Sequence, residues 1–391
     1  MILLLLACLP GEVTHTEHVQ PLLDQHCVRC HQDGGIGVGD FEDPDQVQAF
    51  AERIVTRAQD GTMPPPASDP ECRDYQSSER LTLGDRDLKL LEKWAEQGFA
   101  HGEGELQRDL PEENLALSDT DLQLTVPSYA PTFSDDREPG NEYRCFVLAH
   151  GRDSDFYITG IQPIIDQSSV LHHMVLGAVP RDELGSAGTG PEGADCINDD
   201  MGAIEGLVGV WAPGMEAMEM AEGAGLKVAS DEVFVLQMHY FQSSPEALGL
   251  VDQSGFALRA TEVVDQPLEM VTVGSQSFRI PAGESNYTFE GAWESESDRR
   301  IYGVFPHMHE RGVRYTMGLP ERKRDSCVLD GPGYDFSNQL YYLFREPLEL
   351  KAGEQVDYSC TWDNGDNAED VFYGERTEEE MCFFFVLADA G

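Results

Sequence analysis

The chain has 391 residues and carries 72 Asp and Glu against 26 Lys and Arg, a formal net charge of −46 at pH 7. That charge excludes nucleic acid and bare anionic lipid as partners, because long-range repulsion opposes both. The length allows two or three domains, and an apolar content of 40% is enough for real cores.

The chain opens Met1-Ile2-Leu3-Leu4-Leu5-Leu6-Ala7-Cys8. This run is too short to span a bilayer, which needs about 20 apolar residues. Leu5-Leu6-Ala7-Cys8 resembles the lipobox of bacterial lipoproteins, although no basic segment precedes it. The resemblance implies residues 1–8 as a signal remnant, Cys8 as a lipid anchor, and export to the periplasm or cell envelope. That anchor is the only membrane tie expected.

Residues 12–105 form the next unit. Val19–Leu23 leads into Cys27-Val28-Arg29-Cys30-His31, the pattern for covalent haem attachment. Two thiols form thioethers and the histidine binds iron, so Cys27, Cys30 and His31 have fixed roles around a haem c. A Gly-rich loop, Gly34-Gly35-Ile36-Gly37, follows, and then a helix-like stretch over 44–58. Met63, in Gly61-Thr62-Met63-Pro64-Pro65, is the expected sixth ligand, because a thioether stabilises ferrous iron. The unit closes with a helix over 83–98. Leu88, Leu91 and Ala95 recur there at helical spacing beside Trp94, and Gly98 suits the C-cap. This layout resembles small bacterial cytochromes c and implies a small all-α domain.

An acidic linker over 106–117 separates this unit from short alternating runs broken by Gly, Pro, Asp and Asn. Those runs argue for antiparallel β-structure. Strands are expected at 143–148, 233–241, 278–281 and 383–387. A boundary near Asp265-Gln266-Pro267 divides the region into 118–265 and 266–391, each of a size normal for a β-sandwich.

Five of the eleven histidines fall in three tight groups on these strands. In a strand, residues i and i+2 share a face, so His307 and His309 can bind one metal. Gln237 and His239 share a face with Val235. His172 and His173 are adjacent and should point to opposite faces, so they share a metal only at a bulge or strand end.

The segments Leu171-His172-His173-Met174, Leu236-Gln237-Met238-His239-Tyr240, Pro306-His307-Met308-His309 and Glu380-Met381-Cys382 together resemble the copper type II, ascorbate-dependent monooxygenases, in that family's motif order. The resemblance spans residues 118–391. It implies two antiparallel, jelly-roll-like β-sandwich domains with one copper each, facing a solvent cleft. His172, His173 and His239 would bind the electron-transferring copper, and His307, His309 and Met381 the copper where O2 is activated. Soft thioether suits Cu(I) and imidazole suits Cu(II), whereas redox-silent zinc has no need of Met381. Gln237 is expected to hold an ordered water or orient substrate.

Nine cysteines divide accordingly. After Cys8, Cys27 and Cys30, six remain, which in an exported chain implies disulfides with 15 connectivities open. The family resemblance implies the pairs Cys145–Cys196 and Cys360–Cys382. Elimination leaves Cys72 and Cys327 to join the haem unit to the second copper domain, which requires Cα atoms within about 7 Å.

The expected activity is copper-dependent hydroxylation of an activated C–H bond of a small substrate by O2. Electrons come from ascorbate or an envelope redox carrier, delivered through the fused haem. Peptide-amidating members hold a substrate carboxylate with Arg, Asn and Tyr where this chain has Phe305, Phe383 and Phe385. An apolar or aromatic substrate is therefore expected. The alternative is a haem and copper electron-transfer protein with no substrate of its own. A copper store or sensor would have no use for the haem motif.

Overall fold

A computed structural model describes residues 9–33, 35, 37–110, 116–135, 139–184, 187–196, 201–203, 206–242 and 244–390. The lipobox with Cys8, Gly34 and Ile36 of the glycine loop, and linker residues 111–115 lie outside the described residues. Two compact units emerge, one of Met1–Ala67 with Ser77–Glu113 and one of Ser68–Gln76 with Asn114–Gly391. No helix among the described residues is long and apolar enough to cross a membrane.

The first unit is helical, with α1 (Gln20–His26), α2 (Pro44–Gln59), a single turn α3 (Ser78–Leu81) and α4 (Asp85–Glu96). Helix α2 starts where Asp43 accepts the Asp45 N–H and Pro44 takes the first helical position, both favourable for an N-terminus. Its buried Val47, Ala51, Ile54, Val55 and Ala58 keep helical spacing. In α4 the buried stripe is Leu90, Leu91 and Trp94. Leu88 and Ala95, expected on that stripe, flank the core half-buried. Gly98 ends the helix at a φ of +76°, which glycine adopts without strain. Arg108 clamps the buried Asp24 through Nε at 3.0 and 2.9 Å. This charge-assisted pair fixes the tail of the unit.

The second unit is mainly β. A five-stranded antiparallel sheet has the order Ala194–Asp195, Asn141–Leu148, Glu232–Phe241, Leu171–Pro180, Leu207–Trp211. It packs on a nine-stranded sheet through one core that includes Phe146, Met174, Leu176, Phe234, Leu236 and Tyr240 on one side and Phe156, Ile158, Leu226 and Phe256 on the other. A four-stranded sheet, Tyr287–Glu294, Gln355–Trp362, Gly312–Gly318, Cys327–Gly331, covers the far part of the large sheet, where Phe384 meets Tyr315 and Tyr358. The large sheet runs without a break across residues 265–266. There Gln266–Leu268 pairs parallel with Ala224–Leu226, so the edge of one half is covered by the first strand of the other.

Strand alternation decides what faces the site. Along Glu232–Phe241, Phe234, Leu236, Met238 and Tyr240 enter the sandwich core. The odd positions Val233, Val235, Gln237 and His239 therefore face the other way. Along Phe383–Asp389 the same rule sends Phe384 and Val386 to one face and Phe383 and Phe385 to the other.

Three disulfides, Cys72–Cys327, Cys145–Cys196 and Cys360–Cys382, all lie within the β unit. Cys72 belongs to Ser68–Gln76, which clusters with the β strands. This corrects the expectation of a bridge between units: Tyr75 packs edge-on against Tyr342 at 4.9 Å, and the Ser68 N–H donates to the Tyr342 hydroxyl at 3.0 Å. Replacing Cys360 and Cys382 together by Ser opens a loop spanning 22 residues. Loop-closure entropy makes that worth about 3 kcal/mol. The expected result is a lower unfolding midpoint for the β unit with unchanged far-ultraviolet dichroism, read by thermal denaturation.

Candidate metal centres

The first histidine set forms where two strands pair. His173 lies opposite His239, and Leu171 lies opposite Tyr240, so one extra residue, His172, is bulged out between them. The bulge turns His172 to the side its neighbour already faces. Nδ1 of His172 is 3.2 Å from Nδ1 of His173, and Nδ1 of His239 is 3.3 Å from that same atom. On its other side, His239 is stacked on Tyr143 at 4.0 Å and 9°.

The donor chemistry fits a metal ion. His239 Nε2 donates to Asn141 Oδ1 at 2.7 Å, which leaves a lone pair on Nδ1 aimed at the other two rings. One N–H cannot satisfy three converging nitrogens, and each unpaired buried group costs about 1–3 kcal/mol. A cation accepts all three lone pairs. Two metal–nitrogen bonds of about 2 Å at a tetrahedral angle place their nitrogens about 3.3 Å apart, close to the spacing seen. Burial lowers the pKa of all three rings, that of His172 to about 4, so they stand neutral, as ligands must.

The second set closes the strand Arg299–His307. His309 falls just beyond the strand end, yet its ring stands 5.2 Å from that of His307. His307 Nδ1 donates to Gln339 Oε1 at 2.7 Å. His309 Nδ1 donates to the Glu379 carbonyl at 3.0 Å. His307 thus keeps Nε2 for a ligand role, in the orientation that such an outer partner gives. Burial lowers His307 to about 4 and His309 to about 3. Met381 is buried among Leu207, Phe305, Phe383 and Phe385.

Glu380 holds this set together. Its fully buried carboxylate accepts N–H bonds from His309 at 2.8 Å, Arg311 at 2.7 Å and the Trp362 indole at 2.9 Å. Burial pushes its pKa up to about 7, against the pull of those donors. The sequence motif contained Glu380 but gave it no task.

One cavity of about 60 Å³ joins the sets. Its walls include Tyr143, His173 and Gln237 from the five-stranded sheet. Facing them are Phe305, His307, His309, Met381 and Phe385. No Lys or Arg lines it, and Glu375 is its one carboxylate among the described residues. Sequence reading missed Asn141, Tyr143, Gln339 and Glu375. The strand faces could have revealed Tyr143, which is opposite His239 in the register. Phe336 is in ring contact with both His172 and His309.

In the helical unit, Cys27, Cys30 and His31 share one turn, with the His31 N–H donating to the Cys27 carbonyl at 3.0 Å. Both cysteines are free thiols, and burial pushes Cys27 up to about 12. His31 Nδ1 donates to the Val38 carbonyl at 3.0 Å, and its ring is stacked on Phe41 at 4.3 Å. Met63 follows α2 and stands exposed.

The sequence matches two models of one family. "Copper type II ascorbate-dependent monooxygenase, N-terminal domain" covers residues 133–247, and the corresponding C-terminal domain covers 266–388. Both begin beyond the helical unit. Similar proteins include human DBH-like monooxygenase protein 1, 24% identical over 59% of this chain and 41% of that protein. Human putative DBH-like monooxygenase protein 2 is 24% identical over 71% of this chain and 57% of its own length. Canine dopamine beta-hydroxylase is 24% identical over 46% and 31%. The chain thus spans well under two thirds of these relatives.

Asn141 is the sharpest handle on the first set. Asn141→Leu removes the acceptor that fixes the His239 tautomer, and metal affinity at the three histidines should fall by about 10–100-fold. Equilibrium dialysis against copper checks it, with the second set as internal control.

Proposed function

Because the chain belongs to the copper type II ascorbate-dependent monooxygenase family, we propose that its β unit hydroxylates a C–H bond of a small, apolar or aromatic substrate with O2. The observation that carries this is the shared cavity, which has His173 on one wall and His307, His309 and Met381 on the other. In this reading His172, His173 and His239 hold one copper, and His307, His309 and Met381 the other. Copper in these two places supplies one-electron steps and O2 activation.

The protein's own groups do the rest. Phe305, Phe385, Leu207 and Val210 exclude water and accept apolar surface. Among the described residues no Lys or Arg lines the cavity, which argues against a peptide C-terminus. Gln237, buried on the wall beside His173, orients the substrate through its amide.

We extend the proposal to the helical unit. Unbonded Cys27 and Cys30 beside His31 suit covalent haem, with Met63 as second axial ligand, and a haem there would store one electron at a time. Residues 12–105 are then the electron-accepting domain, 118–265 and 266–391 the two copper domains, and ascorbate or a redox carrier the donor. Three disulfides indicate a compartment outside the cytoplasm, which suits haem attachment and a lipid anchor at Cys8. The second reading is an electron carrier without a substrate of its own.

Metal and haem analysis followed by O2 uptake with ascorbate separates these readings. Two coppers and one haem per chain are expected, with O2 uptake that rises when a small aromatic or apolar compound is added and falls to background in His307→Ala. Uptake indifferent to every such compound supports the carrier, and absence of copper refutes both.

A further inference from the structure

Phe336 touches one histidine of each set. Its ring centroid is 5.2 Å from that of His172 and 5.8 Å from that of His309, both within the range of favourable aromatic pairs. The ring is only 9% exposed, although it comes from a turn outside the strands.

That turn is firmly built. Asp335 accepts the Ser337 N–H through Oδ1 and the Asn338 N–H through its carbonyl, both at 2.9 Å. Gln339 Nε2 donates to the Phe336 carbonyl at 3.1 Å, while Gln339 Oε1 accepts from His307 at 2.7 Å. One amide therefore fixes both the Phe336 backbone and a histidine of the second set. The cavity walls include His173, His307 and His309 but neither Phe336 nor His172.

We propose that Phe336 is the spacer that sets the separation of the two metal sites and keeps water from its share of the gap, an inference that rests on the copper reading above. A phenyl ring has a fixed thickness, cannot ligate a metal and offers no hydrogen bond to water. Wedged between one imidazole of each set, it holds them apart and prevents either from turning toward the other. Phe336 is a positioning residue, since it touches the ligands and not the reacting atoms.

The test compares the full chain with Phe336→Ala, Phe336→Leu and Phe336→Tyr. Loaded with Cu(II), all four should bind two ions per chain. Electron paramagnetic resonance should show one narrow dipolar coupling between the ions in the parent and in Phe336→Tyr. In Phe336→Ala the coupling should spread, and deuterium modulation from D2O should rise. A coupling equally narrow in Phe336→Ala, with both ions bound, overturns the spacer role.

A metal-free measurement guards the geometry. Ring-proton resonances of His172 and His309 should lose their ring-current shifts in Phe336→Ala and in Phe336→Leu, whose side chain still fills the space. Shifts that persist overturn the proposal whatever the metals do. If the shifts vanish but the parent binds fewer than two coppers, the copper reading has failed and the spacer role falls with it.

Discussion

The constraint on which the β unit turns is the pairing of imidazole nitrogens away from water. Each ring brings two nitrogens, and a buried one without a partner is costly. The protein gives one nitrogen of His239, His307 and His309 to Asn141, Gln339 and the Glu379 carbonyl respectively. At the first set, ring nitrogens of His172, His173 and His239 converge on one point. A cation resolves that conflict by accepting the lone pairs together.

Backbone geometry creates the conflict. A regular strand would split His172 from His173, and the single extra residue at the bulge brings them to one side. At the second set the strand stops at His307, and the buried Glu380 carboxylate draws the next turn and the Met381 segment together through their N–H groups. Both sets owe their shape to departures from regular sheet, while the regular parts supply the phenyl-lined walls.

Much of this was legible in the sequence. The antiparallel strands expected at 143–148, 233–241 and 383–387 follow from alternation and fall within Asn141–Leu148, Glu232–Phe241 and Phe383–Asp389, and the need for a bulge at His172 follows from adjacency. The grouping of His307 with Met381 came from motif order, because no periodicity joins residues so far apart. What the sequence hid depends on long-range packing. Gln339 and Phe336 lie in a turn of ordinary composition, and only the fold carries that turn to the histidines. The continuity of the large sheet across residues 265–266 was hidden too, since a boundary rich in Asp and Pro looks the same whether or not hydrogen bonds cross it. In α4, Leu91 and Trp94 are buried as expected, while Leu90 is buried more deeply than the expected Leu88 and Ala95, which pack half-buried against the core.

The Cys72–Cys327 bridge has a topological result. It turns residues 72–327 into a covalent ring, and the stretch between the two units lies on that ring. A cut anywhere from Gln76 to Asn114 opens the ring but leaves one molecule, because the bridge still links the segment before the cut to the strands after it. The two units are therefore held by redundant covalent routes. Chain scission in the acidic stretch separates them only when reduction follows, so a nicked protein keeps its mass until the disulfide is broken.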